Sequence, residues 1–243
     1  MIRVLVWNEN YHEKTSEKVA AVYPDGIHNA IAAFLGAEED IEVKTATLED
    51  ESCGITPEIL AETDVLLWWG HVRHGLVPDE VANMVRDAVL DGMGVIFLHS
   101  AHHSKPFKTL LGTSANLTWR ESCDEEIVWV VEPSHPITRG IDRYFKLENE
   151  ETYGEPFVIP TPDKLLFISN FSGGEVFRSG CLWERGNGKV FYFQPGHETF
   201  PTYYVPEVQT VIRNAVRFVA PTYRQRITCP HVRKITDNEP YVR

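Results

Sequence analysis

Seven of the ten histidines, His12, His71, His74, His99, His102, His103 and His197, fall just beyond short apolar runs that read as strands. Imidazole carries protons near neutral pH and ligates metals, so this placement points to a site. His71 and His74 are three apart, which puts both rings on one side of a helical turn. His102 or His103, and His197, would complete three protein ligands around a divalent ion, zinc first among them. The metal candidates are therefore His71, His74, His102 and His197. Two carboxylates can move a proton. Glu198 adjoins His197, and Glu151 ends the acidic stretch Glu148-Asn149-Glu150-Glu151, which reads equally as a solvated loop. Ser100 stands at a strand-to-helix turn, the setting of a nucleophile elbow, beside a helix N-terminus that can hold an anion. The glycines of G-x-S-x-G are absent there, and a helix cap is the competing reading of Ser100. Asn8, Glu9, His99 and Lys105 are candidate substrate contacts. Trp68, Trp69, Trp119, Trp129, Tyr203 and Tyr204 can stack on sugar faces or fill the core.

These residues need a scaffold that gathers strand ends. Val4–Trp7, Val65–Trp69 and Gly94–Leu98 are continuous apolar runs, and Ile41–Thr47 alternates as a strand at a sheet edge does. Helical spacing marks Ile27–Phe34, Thr56–Ala61 with Thr56 as cap, and Pro78–Leu90. Such alternation predicts a parallel sheet covered on both faces, with ligands at the carboxyl ends of its strands. Further strands are expected at Glu126–Glu132, Pro156–Ile159, Leu165–Asn170, Gly180–Arg185 and Val190–Phe193, with Asn187-Gly188 as a hairpin signal. Val205–Val219 reads as a closing helix. One α/β domain is expected over 1–220. The tail 221–243 is expected to wrap it or reach a partner subunit, which makes a homo-oligomer the expected assembly.

The chain has 243 residues, 43% of them hydrophobic, enough for a sizeable core. A net charge of −12 and a pI near 5.3 argue against nucleic acid or an anionic membrane as partner. A small carbohydrate fits better, and no nucleotide cofactor is expected. The N-terminus lacks the pattern of a signal peptide, and no apolar run approaches the length of a bilayer span. The chain is therefore expected in the cytoplasm. Its four cysteines form no CxxC pair and are expected as free thiols.

WWGHVRHG (Trp68–Gly75), LHSAHHSKPFKTLLGTS (Leu98–Ser114), WVVEPSHPITRGI (Trp129–Ile141), GGEVFRSGC (Gly173–Cys181) and FYFQPGHETFPTYY (Phe191–Tyr204) resemble, in this order, the ThuA-like family linked to trehalose utilisation. The resemblance runs from about Arg3 to Ala220. It implies a flavodoxin-like three-layer sandwich with a mostly parallel central sheet, of the class I glutamine amidotransferase-like kind. That superfamily has a cysteine at the elbow and a His-x-Glu pair after the last strand. Here Ser100 falls at the cysteine's place and His197 and Glu198 are adjacent, which speaks against amidotransferase activity. The leading reading is an enzyme (hydrolase, lyase or isomerase) acting on a sugar or keto-sugar. The alternatives are a non-catalytic carbohydrate-binding or regulatory protein and, more weakly, a serine hydrolase using Ser100, His197 and Glu198.

Overall fold

The apolar runs of the first hundred residues become strands buried on both faces. In the computed structural model, which describes residues 1–226, 228–229 and 231, they are β1 (Ile2–Asn8), β2 (Ile41–Thr47), β3 (Val65–Trp69) and β4 (Gly94–Leu98). The later strands are β5 (Thr118–Val130), β6 (Tyr144–Gly154), β7 (Lys164–Phe171), β8 (Val176–Arg185) and β9 (Gly188–Phe193). All nine form one sheet in the order β2-β1-β3-β4-β9-β8-β7-β5-β6. The first five in this order are parallel, and β8, β7, β5 and β6 extend them with antiparallel pairing. The expected α/β fold is thus present, with a sheet that is parallel only at one side.

Strand alternation sorts the apolar side chains into two cores. Val4, Val6, Leu67, Ile96, Phe191 and Phe193 face α3 (Ile27–Leu35) and α7 (Pro206–Val219). Leu5, Trp7, Trp68, Phe97 and Tyr192 face α4 (Pro57–Glu62), α5 (Asp79–Leu90) and α6 (Lys105–Leu111). Two short helices, α1 (His12–Thr15) and α2 (Glu17–Val22), fill the β1–α3 connection, where the sequence shows no clear period. Trp68 stacks on Trp7 at 3.9 Å between ring centroids, and Trp69 is buried in the opposite core. Both tryptophans at the end of β3 are therefore core rather than sugar platforms.

Three expectations change. Pro156–Ile159 forms no strand, since the prolines at 156, 160 and 162 supply no backbone donors. The hairpin turn is Gly186-Asn187, because Arg185 pairs with Gly188; Gly186 takes φ 58°, the left-handed geometry such a turn requires. The acidic stretch at 148–151 lies inside β6 rather than in a loop. Of the tail, Arg224 donates to the carbonyls of Leu60 and Thr63; the rest of the tail, residues 227, 230 and 232–243, on which the oligomer expectation leans, lies outside the described residues.

The antiparallel extension matters for the site. Only Glu126–Val130 of β5 pairs with β7, so Thr118–Asp124 pairs with β6 alone. This two-stranded arm, with register shifts around Asp124, reaches the carboxyl ends of β4 and β9: Tyr153 of β6 stacks on His99 with centroids 5.1 Å apart.

Candidate functional site

A cavity of about 650 Å³ opens at the carboxyl ends of the parallel strands. His12 enters it from the start of α1, His71 from the loop after β3, His197 and Glu198 from the loop after β9, and Glu151 from the arm. Glu198 Oε1 lies 2.7 Å from His12 Nδ1 and 2.9 Å from His71 Nδ1. Burial opposes a charge on Glu198, but the hydrogen bonds from His12 and His71 outweigh it and hold the carboxylate far below its usual range. The contact with Glu198 in turn raises His12.

His99 begins the turn after β4 and is fully buried. Its φ of 52° places the strained backbone of the turn on His99, one residue before Ser100. Its Nδ1 lies 2.9 Å from the Gln194 carbonyl and must donate to it. Its Nε2 lies 3.0 Å from Glu151 Oε2. Burial disfavours the charged ring, yet the contact and charge of Glu151, with Glu150 and Glu198 behind it, raise its pKa to about 9. His99 is thus an imidazolium clamped between a carbonyl and a carboxylate, and it holds Glu151 ionised against burial. His197 has the opposite character: burial, then the charge on His99, lowers it to about 4. Its Nδ1 sits 2.9 Å from Thr199 Oγ1, which turns Nε2 into the cavity.

The loop that presents His197 is built from below. The amides of Gly196 and His197 both donate to Glu150 at 3.0 Å, and the Thr202 hydroxyl donates to the same carboxylate. Gly196 takes φ 137°, and any Cβ there would collide with the Tyr203 hydroxyl, so no other residue fits. Glu9 does the same for the other wall, accepting the amides of His71, Val72 and Arg73.

Several predicted contacts are therefore turned inward. Asn8 donates to Glu13 and meets His28; Glu9 is consumed by the 71–73 amides; His99 is enclosed; and the ammonium of Lys105 pairs with Asp79 at 2.7 Å, away from the cavity. These four act on the protein itself, because each strand end needs its loop held. Ser100 lines the cavity, but its hydroxyl donates to the Gly70 carbonyl at 3.1 Å. The cap of α6 is Ser104, whose oxygen accepts from Phe107.

The four metal candidates separate into two groups. His71 and His197 lie together, with ring centroids 5.4 Å apart. His102 stands with His103 at 4.6 Å, and His74 lies 6.2 Å from His103. His102 Nδ1 donates to the Ala115 carbonyl. The donor atoms that converge belong to His71, Glu151 and His197, to His12, His71 and Glu198, and to His99, His197 and Glu198; within each set all lie within 4.8 Å of one another. Two atoms here are buried without a hydrogen-bond partner, His197 Nε2 and Glu198 Oε2, while Glu151 Oε2 meets only the His99 ring. Thr199 escaped the sequence reading, and Glu150 entered it only as one of the acidic stretch, with no role of its own. The strand-forming Thr152-Tyr153 pair after alternating Phe145 and Leu147 is the signal that would have placed Glu150 in a strand.

The sequence matches the ThuA family profile, described as trehalose utilisation, over residues 3–219. The chain belongs to the ThuA family. A ThuA-like protein of Parabacteroides merdae shares its fold with a TM-score of 0.65 at 13% identity, covering 92% of both chains. A cytoplasmic protein of Salmonella typhimurium aligns with a TM-score of 0.64 at 12% identity, over 91% of this chain and all (100%) of that one. A glutamine amidotransferase of Thermotoga maritima aligns at 0.55 and 11%, over 90% and 97% of the two chains. No curated protein matches the sequence. These likenesses carry the fold, and membership of the ThuA family carries a role in carbohydrate utilisation. No helix among the described residues is long and apolar enough to cross a membrane.

Proposed function

We propose that this ThuA-family chain is a cytoplasmic enzyme acting on a sugar or oxidised sugar, as a hydrolase, lyase or isomerase, with a divalent cation held by His71, His197, Glu151 and Glu198. The observation that carries this reading is the pair of buried atoms without a hydrogen-bond partner, Glu198 Oε2 and His197 Nε2, 3.7 Å apart in one cavity with His71 and Glu151. Buried polar atoms are rarely left unpaired, and a cation or a ligand's polar atoms would complete these. The donor set fits zinc or a similar ion, which imidazole and carboxylate both bind. The Thr199 amide donates to His197 Nδ1 at 3.3 Å and so fixes the ring with Nε2 toward the cavity. Such an ion would polarise a sugar carbonyl or hydroxyl and ease removal of a proton.

The chain's own groups would do the rest. His99 keeps Glu151 ionised and aimed into the cavity. Glu150 and Glu9 fix the two loops that carry His197 and His71. Glu198, held ionised between His12 and His71, orients both rings, and His12, whose pKa it raises, is placed to exchange a proton with a bound hydroxyl.

Elemental analysis of protein purified without added metal tests the reading. It expects a near-stoichiometric divalent ion, lost in His71→Ala and His197→Ala, and a lower melting temperature in the presence of chelator. Metal-free protein with full activity would overturn the cation. Sugar binding with no turnover of any sugar or keto-sugar offered would favour a non-catalytic binding protein.

A further inference from the structure

Beyond Tyr153 the cavity changes chemistry. One end holds Glu151 and Glu198 with His12, His71 and His197. The other is lined by His74, His102, His103, Asn116, Leu117 and Trp119, with neither an acid nor a base of fixed charge among them. Its position follows from contacts. Tyr153 stacks on His99, at 5.1 Å between centroids, and meets His102 edge to face, at 5.5 Å. Trp119 is the cross-strand partner of Tyr153 in the arm, so the two side chains share a face of the β5–β6 ribbon.

Two features here have no role in holding the protein together. Trp119 is 66% exposed although it lines the cavity, while its partner Tyr153 is 3% exposed. A large apolar side chain left open beside a cavity is the informative kind of exposure, since burying it would stabilise the fold. His74 Nε2 is buried with no hydrogen-bond partner. Burial, with its imidazole neighbours, pushes His74 down to about 3 and His102 well below the ordinary range, so both rings are neutral at pH 7. A neutral imidazole offers one donor and one acceptor, which suits hydroxyl groups better than ions.

We propose that this end is a subsite for the second ring of a disaccharide or other glycoside, stacked on Trp119 with its hydroxyls against His74, His103 and Asn116. The reacting ring would then lie among His71, His197 and Glu151, and Tyr153 would stand between the two. A space of about 650 Å³ suits such a ligand; pockets of about 300–1,000 Å³ take molecules of drug size, and one monosaccharide would leave much of it to water. The inference rests on the carbohydrate reading above and adds the size of the substrate and the place of its second ring.

Calorimetric titration with glucose and with trehalose tests it on wild type, Trp119→Ala and Trp119→Phe. Trehalose should bind about tenfold more tightly than glucose, the scale that one stacked ring supplies. Trp119→Ala should erase that advantage and leave glucose binding unchanged, and Trp119→Phe should keep most of it. Equal affinity for the two sugars in wild type, or an equal weakening of both in Trp119→Ala, would overturn the subsite while the carbohydrate reading stands. Binding of neither sugar overturns the subsite, and with no keto-sugar bound either it overturns the carbohydrate reading as well.

Discussion

The amide of His197 donates to Glu150 at 3.0 Å, so a residue of the antiparallel arm sets the loop that follows the last parallel strand. Gly196 and Thr202 donate to the same carboxylate, as does the amide of Glu151. Four donors on one buried carboxylate make it a structural keystone of the site.

Replacing Glu150 with Gln should therefore be severe. The amide keeps one acceptor and sets its own N–H groups against donors. A loss of about 3 kcal/mol in urea denaturation is expected, on the scale of several charge-assisted bonds disrupted together. An unchanged midpoint would show that the Gly196–His197 loop does not depend on this residue.

Glu126, the buried neighbour of Glu150, should behave in the opposite way. Burial, then the charge of Glu150, raises Glu126 well above its ordinary value, while the Ser169 hydroxyl and the charge of His99 oppose this only in part. Glu126 is thus a neutral acid, and Glu126→Gln should change stability by less than about 1 kcal/mol at acid pH. The sign at higher pH follows from linkage. The unfolded chain releases this proton near 4.5 and the folded chain only well above, so the wild type loses stability as pH rises between them. The variant escapes that loss. Its stability relative to wild type should grow from below pH 4.5 to neutral pH, and chemical denaturation at a series of pH values will show whether it does.

Glu9 should control the loop that carries His71. In Glu9→Ala the amides of His71, Val72 and Arg73 lose their acceptor. Amide hydrogen exchange at these three positions should quicken by more than about tenfold, with a stability cost of about 2–4 kcal/mol. Slow exchange retained at all three would mean that the loop is held by its packing alone.

The two serines around the β4–α6 turn should separate cleanly. Ser104→Ala removes the cap of α6 and should cost about 1 kcal/mol. Ser100→Ala removes one hydrogen bond to Gly70 and should leave any activity on sugars largely intact. Loss of turnover in Ser100→Ala with a normal melting curve would bring back a nucleophilic serine.

The parallel half was legible because its strands are buried on both faces, and nothing but apolar residues survives there; Val65–Trp69 and Gly94–Leu98 run between the residues named from sequence. The arm was not. A buried carboxylate such as Glu150 looks in sequence like a solvated one, and the donors that tolerate it, the amides of Gly196 and His197, are distant in the chain. Asn8 and Glu9 were seen as strand-end residues, but sequence does not show whether such a residue faces a ligand or the next loop. The histidines divided for a related reason: His71 and His74 are neighbours in sequence, yet the short turn at His74–Leu76 sends the second ring toward His103.

The Trp119–Tyr153 pair belongs to a ribbon that joins the sheet only through its far end, whereas His71 and His197 grow from loops of the parallel strands. On the proposed reading, Trp119, which would choose the second ring, lies on a different stretch of chain from the imidazoles. Inheritance can revise residues 118–124, and with them the choice of molecule held, while leaving the imidazoles as they stand. Relatives that share the fold and the histidines can therefore differ in diet.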